Sequence, residues 1–193
     1  MPRPVTVRDD ELYDRLAEVF RSAGYEGASL GALAEAAGLR RASLYHRFPG
    51  GKAEMAEAVL DRVGRLFADV LEPMRTDPDP RAGIAASAER LTDIYGGGLL
   101  ACALDTLPLS GAPEPVRTKA ASVARTWITT MADAAQRGGR PAGEANAAAE
   151  DAFVRIEGGL VHGRLFGDGA PFRRAIAELP DQLLGRQSRG AAL

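Results

Sequence analysis

The chain has a single cysteine, Cys102, among its 193 residues. That excludes an intrachain disulfide and any cysteine-cluster metal site, and it fits a reducing, cytoplasmic setting. No apolar stretch approaches the ~18–20 residues needed to cross a bilayer, so no membrane partner is expected. Residues Met1 to Glu11 are polar, without the apolar run of a signal peptide. No segment alternates polar and apolar for long with a period of two, so no strand is expected. Aromatic residues make up only 6% against 46% hydrophobic residues overall, the balance being dominated by Ala and Leu. These are strong helix formers, and enough of them are present to build a core. The net charge of −2 gives no hint of a nucleic-acid partner. One local absence does: from Ala36 to Ala53 there is no acidic residue, while Arg40, Arg41, Arg47 and Lys52 are all basic.

Apolar residues recur at intervals of three and four along almost the whole chain. The pattern predicts a first helix over Arg8–Ala23, ended by Gly24, and short helices over Leu30–Ala37 and Arg40–Arg47. Longer helices are expected from Lys52 to near Pro73, over Ala82–Tyr95, Pro115–Arg137 and Glu144–Phe166. A short one is expected over Leu99–Leu107 and a last one over Pro171–Leu184. About nine helices joined by short loops give an all-α fold.

The stretch Ser29–Lys52 reads SLGALAEAAGLRRASLYHRFPGGK. Ser29 is placed to cap one short helix, Gly38 supplies a tight turn, and Pro49-Gly50-Gly51 end the second helix. Small Ala34 and Ala37 allow a close crossing, with Leu33, Leu39 and Leu44 beneath it. Two short helices joined by a glycine turn and flanked by helices make a helix-turn-helix. Basic charge concentrated on the second helix suits double-stranded DNA, whose phosphates release counterions when neutralised.

This ordered set resembles the TetR family: Gly24-Tyr25, Ser29, Ala37-Gly38, Leu44-Tyr45-His46-Arg47-Phe48 and Lys52 all stand where that family's N-terminal pattern has them. The double glycine before Lys52, with Gly98 to Ala103, Trp127, Gly138 to Pro141 and Ile156-Glu157-Gly158-Gly159, is similar to the LmrA/YxaF-like subgroup. The resemblance implies an N-terminal three-helix DNA-binding domain over 1–52. A C-terminal helical bundle for ligand and dimerisation would then occupy 53–193. It implies that Arg41, Ala42 and Ser43 face base edges, with Arg40 beside them. Ser29, Tyr45, His46 and Lys52 would hold phosphates, and Arg3 and Arg8 could add contacts. Arg40 stands where the family usually carries a small hydroxyl cap.

The resemblance also implies a homodimer on palindromic operator DNA, released by a small and mostly apolar effector. Phe67, Tyr95, Leu99, Cys102, Trp127, Met131, Phe153 and Glu157 are the candidate lining. Each could equally be ordinary core, since aromatic residues at helical spacing usually are. Cys102 lies in an apolar run and is expected to be buried and inert. Gly158, Gly159 and Gly163 are costly inside a helix and suggest close helix contact at a dimer seam. His162 and Glu157, five apart, share no face, and no nucleophile, base or metal set stands near them. No cofactor, metal site or catalytic group is therefore expected. The competing readings are a regulator without an effector, a small helical enzyme, and a helical adaptor that ignores DNA sequence.

Overall fold

The computed structural model describes residues 9–108 and 111–185. Among the described residues there are eleven helices and no strand, as the composition and periodicity require. The described residues fall into two compact units. One draws on Met1–Leu66 with Cys102–Ala124, the other on Phe67–Ala101 with Arg125–Leu193. The helix that begins at Gly51 continues unbroken to Val70, across the expected functional division after Lys52.

In the first unit, α1 (Asp9–Gly27) buries Leu12, Leu16, Ala17 and Phe20. Its helical geometry breaks at Gly24, which takes φ 68°. Three elements come next: α2 (Leu30–Ala37), α3 (Arg41–Arg47) and α4 (Gly51–Val70). Leu33, Ala37, Leu44, Phe48, Met55 and Val59 complete this core. Burying the Leu, Phe, Met and Val side chains among these contributes roughly 1.5–3 kcal/mol each. Ion pairs tie α1 to α4, among them Arg62 to Asp14 at 3.1 Å and Arg65 to Asp10 at 3.2 Å.

Three sequence expectations are corrected here. The helix stops at Val70 because Leu71 leaves helical geometry, and a separate α5 (Glu72–Thr76) begins with Pro73 in its first turn. Proline ends one helix and starts the next equally well, since the first turn needs no N–H from it. The helix expected over Leu99–Leu107 shrinks to α7 (Ala103–Thr106). Gly96, Gly97 and Gly98 all take positive φ, and the turn they build carries on through Leu99 and Leu100. The last expected helix divides into α10 (Ala170–Ala177) and α11 (Leu179–Leu184), with Pro180 in the first turn of the latter.

Between these lie α6 (Pro80–Ile94), α8 (Glu114–Arg137) and α9 (Ala142–Phe166). In the second unit α9 packs against α10 and α11, and α6 against α5, α10 and α11. Gly159 and Gly163 make the α9 contact possible. A Cβ on Gly159 would stand 2.7 Å from the Cα of Phe172, and one on Gly163 only 1.9 Å from the carbonyl oxygen of Gly98. Gly159 and Gly163, expected at a dimer seam, thus serve packing inside the unit instead. Gly158, the third glycine of that group, faces open space.

Candidate nucleic-acid interface and effector core

The short helices are held by local chemistry that the sequence specifies. Ser29 is extended and its hydroxyl accepts from the Ala32 N–H at 3.1 Å, closing the first turn of α2. Gly38 takes φ 65°, and the N–H of Leu39 returns to the Ala34 carbonyl. This left-handed cap turns the chain sharply enough for α3 to cross α2 over Ala34 and Ala37, which are 5% and 0% exposed. Leu44 anchors α3 from below at 1% exposure, while Leu39 is half-buried.

The opposite face of α3 is open. Arg40, Arg41, Ala42, Ser43, Tyr45 and His46 are all exposed. Among the described residues neither Arg40 nor Arg41 enters an ion pair. Arg40 occupies the N-cap position with no side-chain hydrogen bond to the helix, so the missing hydroxyl is not replaced. Arg47 is different, because it pairs with Asp9 of α1. The basic cluster read from the sequence thus contains one arginine engaged inside the unit.

Lys52 stands apart from the arginines in having a built seat. Its Nζ lies 4.6 Å from the centre of the Tyr25 ring and donates to the Glu26 carbonyl at 3.3 Å. Burial pushes the Tyr25 phenol above its ordinary 10.0, so a neutral ring lies under the ammonium. At the start of α4 the Gly50 N–H donates to Glu54 Oε2 at 2.7 Å, and Gly51 takes φ 67°. The second glycine is needed for that backbone. Arg3 and Arg8 lie outside the described residues.

Of the candidate effector residues, Phe67, Trp127 and Phe153 come together in the second unit. Trp127 stacks on Phe67 at 4.8 Å between ring centres and meets Phe153 edge-on at 5.2 Å. Met131 lies one turn on from Trp127 along α8, and both are fully buried. Glu157 lies one turn from Phe153 on α9, half-buried, with both carboxylate oxygens shielded from solvent. The indole N–H of Trp127 is buried with no hydrogen-bond partner among the described residues. Tyr95 is buried against Phe172 instead, with ring centres 5.8 Å apart. Leu99 is 51% exposed on the glycine turn. Cys102 belongs to the first unit, where its Sγ accepts from the Leu104 N–H at 3.4 Å and caps α7.

A family model described as bacterial regulatory proteins, tetR family, matches residues 12–59, which span α1 to the first half of α4. The HTH-type transcriptional regulator LmrA of Bacillus subtilis is 25% identical over 182 residues, covering 90% of this chain and 95% of its own. The N-terminal residues thus carry the DNA-binding region of the TetR family, and nearly the whole chain is similar to TetR-type transcriptional regulators. A TetR transcriptional regulator from Legionella pneumophila superposes with a TM-score of 0.83 at 18% identity, covering 94% of this chain and all of that one. The TetR family regulator CifR, solved with a 26bp double-strand operator DNA, is 28% identical with a TM-score of 0.68, covering 94% and 98%. A TetR regulator works by binding, not catalysis. Among the described residues no three metal-ligating side chains gather.

An exposed stripe on α9 is a feature the sequence expectations do not include. Val154 is 67% exposed, Val161 39%, and Leu165 and Phe166 71% each. With open Gly158, positions 154, 158, 161 and 165 lie on one face at alternating steps of four, three and four. That spacing is a signal the sequence carries. It is masked because Val161 sits beside Leu160, and periodicity alone does not say which of the two is buried.

Proposed function

We propose that the chain is a cytoplasmic, homodimeric repressor that reads a palindromic operator with α3 and lets go when an apolar effector enters its second unit. The open arginine face of α3 carries this reading. Two exposed guanidinium groups, without carboxylate partners among the described residues, stand at the start of a short helix. Arg41, Ala42 and Ser43 would meet base edges in the major groove, with Arg40 beside them. Ser29, Tyr45, His46 and Lys52 would fix the phosphates. The operator complex of CifR supports the assignment by analogy of fold.

A single helix-turn-helix reads few base pairs, so affinity requires two heads about one duplex turn, ~34–36 Å, apart. The exposed stripe of Val154, Val161 and Leu165 supports α9, with α8, as the self-complementary dimer surface. Phe67, Trp127, Met131, Phe153 and Glu157 are proposed as the effector lining. The effector must favour one arrangement of the heads over the other, since equal affinity for both shifts nothing. A typical coupling of ~1–3 kcal/mol changes operator affinity about 5–150-fold.

The test is a gel shift with DNA from the chain's own promoter. Arg41→Ala is expected to relax discrimination at one operator position at a cost of about 1–3 kcal/mol, whereas Lys52→Ala weakens all sequences alike. If neither change alters binding, α3 is not the reading helix.

A further inference from the structure

We propose that Gly31 on α2 is a positioning residue for Arg41: it vacates the space in which the Arg41 guanidinium stows when no DNA is bound. It thereby sets how often the operator-reading pose is available. The inference rests on the reading of Arg41 as a base contact.

The geometry is specific. A Cβ at Gly31 would stand 2.7 Å from Arg41 Nη2 and 3.7 Å from Arg41 Cζ. Its third near neighbour is Ser29 Oγ, at 3.7 Å. Real Cβ atoms do not tolerate the first of these distances, so a side chain at position 31 would push the flexible end of Arg41 out of this pose.

The backbone gives no other reason for glycine here. Gly31 is not among the glycines with positive φ, and it sits in the first turn of a regular helix where Ala would strengthen the helix. No neighbouring backbone crowds it, in contrast to Gly163. The vacated space therefore serves the arginine.

The stow is shallow. Arg41 is exposed there and enters no ion pair among the described residues. The site also lies beside the N-terminal end of α2, whose partial positive charge disfavours a cation. A guanidinium held so loosely leaves readily for a base edge or phosphate. Every molecule in the stowed rotamer is nonetheless one in which Arg41 is not reading, and apparent affinity falls in proportion to the competent fraction.

The experiment compares wild type, Gly31→Ala, Arg41→Ala and the double variant, with Gly31→Ser as a second way of filling the space. Each is titrated against operator duplex and against duplexes varied one base pair at a time, with a thermal melt alongside. Gly31→Ala and Gly31→Ser are expected to leave the melting temperature unchanged or raised. They should tighten specific binding by up to about two-fold, as expected for a stowed fraction of up to about one half. The gain should concentrate at the operator position that Arg41→Ala relaxes and vanish in the double variant. The inference is overturned if both substitutions weaken binding or leave it unchanged, or if their effect persists without Arg41. If Arg41→Ala itself changes no operator position, the reading of Arg41 fails first, and this inference with it.

Discussion

Arg47, the last residue of α3, turns its guanidinium back to the carboxylate of Asp9 at the head of α1. The pair joins two elements 38 residues apart in sequence, and it removes from the DNA face a charge that the sequence alone assigns to it. Arg47→Ala is expected to cost no more than about 1 kcal/mol of stability, because exposed pairs are worth little. The salt dependence of DNA binding distinguishes this residue from Lys52. Lys52→Ala should lower the slope of log affinity against log salt by about 1. Arg47→Ala should leave the slope near its wild-type value. Equal losses of slope in both variants would place Arg47 on the phosphates and break the intramolecular assignment.

The α9 glycines give a sharper stability prediction. In Gly163→Ala the new methyl would meet the Gly98 carbonyl, which belongs to a turn fixed by three consecutive positive-φ glycines. Backbone cannot swing aside as a flexible side chain can. A loss of about 1–3 kcal/mol or more is expected, in the range of overpacked cores. Gly143→Ala, near the start of the same helix with open space around it, should cost nothing and gain up to about 0.5 kcal/mol from helix propensity. Urea unfolding midpoints measure both. Equal stability in the two variants would mean that α9 and the glycine turn are not packed as described.

The exposed stripe on α9 is tested by charge. Val161→Glu and Leu165→Glu change residues that are 39% and 71% exposed, so the single chain loses little packing. If this face is shared between two copies, each dimer acquires two buried carboxylates related by symmetry and repelling one another. Sedimentation should then show a shift to monomer. Operator affinity should fall steeply, because one head loses the advantage of the other. Dimers that survive both changes would move the interface elsewhere.

Much of the DNA-binding head is legible because its determinants are local. Ser29 can cap only the helix directly after it, Gly38 can supply positive φ regardless of the rest of the chain, and Leu33 and Leu44 bury as their spacing demands. The second unit is less legible because its determinants are tertiary. Pro73 and Pro180 read equally as ends or beginnings of helices, and each begins one. Gly159 and Gly163 announce a close approach, but not to what. The answer, Phe172 and Gly98, lies in other elements. Pairing escapes periodicity altogether, and nothing in the spacing of Arg47 points to Asp9. The aromatic cluster lies between these cases. Helical spacing puts Trp127 and Phe153 on buried faces, but only the fold brings them to 5.2 Å with Phe67 on the other side.

That cluster contains the chain's only tryptophan, which makes the effector proposal directly observable. Trp127 is fully buried between two phenylalanines, and its indole N–H has no partner among the described residues. An unmet buried donor costs about 1–3 kcal/mol, so a compound that offers it an acceptor recovers that energy as binding. Any effector entering here must also touch the ring or displace Phe67 or Phe153. Compounds that release the operator are therefore expected to quench or shift Trp127 emission with the same midpoint as release. In Trp127→Phe the ring is smaller and the donor is gone. Folding should survive with a loss of a few kcal/mol from the cavity left behind. Operator binding should be retained, and release should need higher effector concentrations. A compound that frees the DNA while tryptophan emission stays constant, and that acts equally on Trp127→Phe, must bind somewhere other than this cluster.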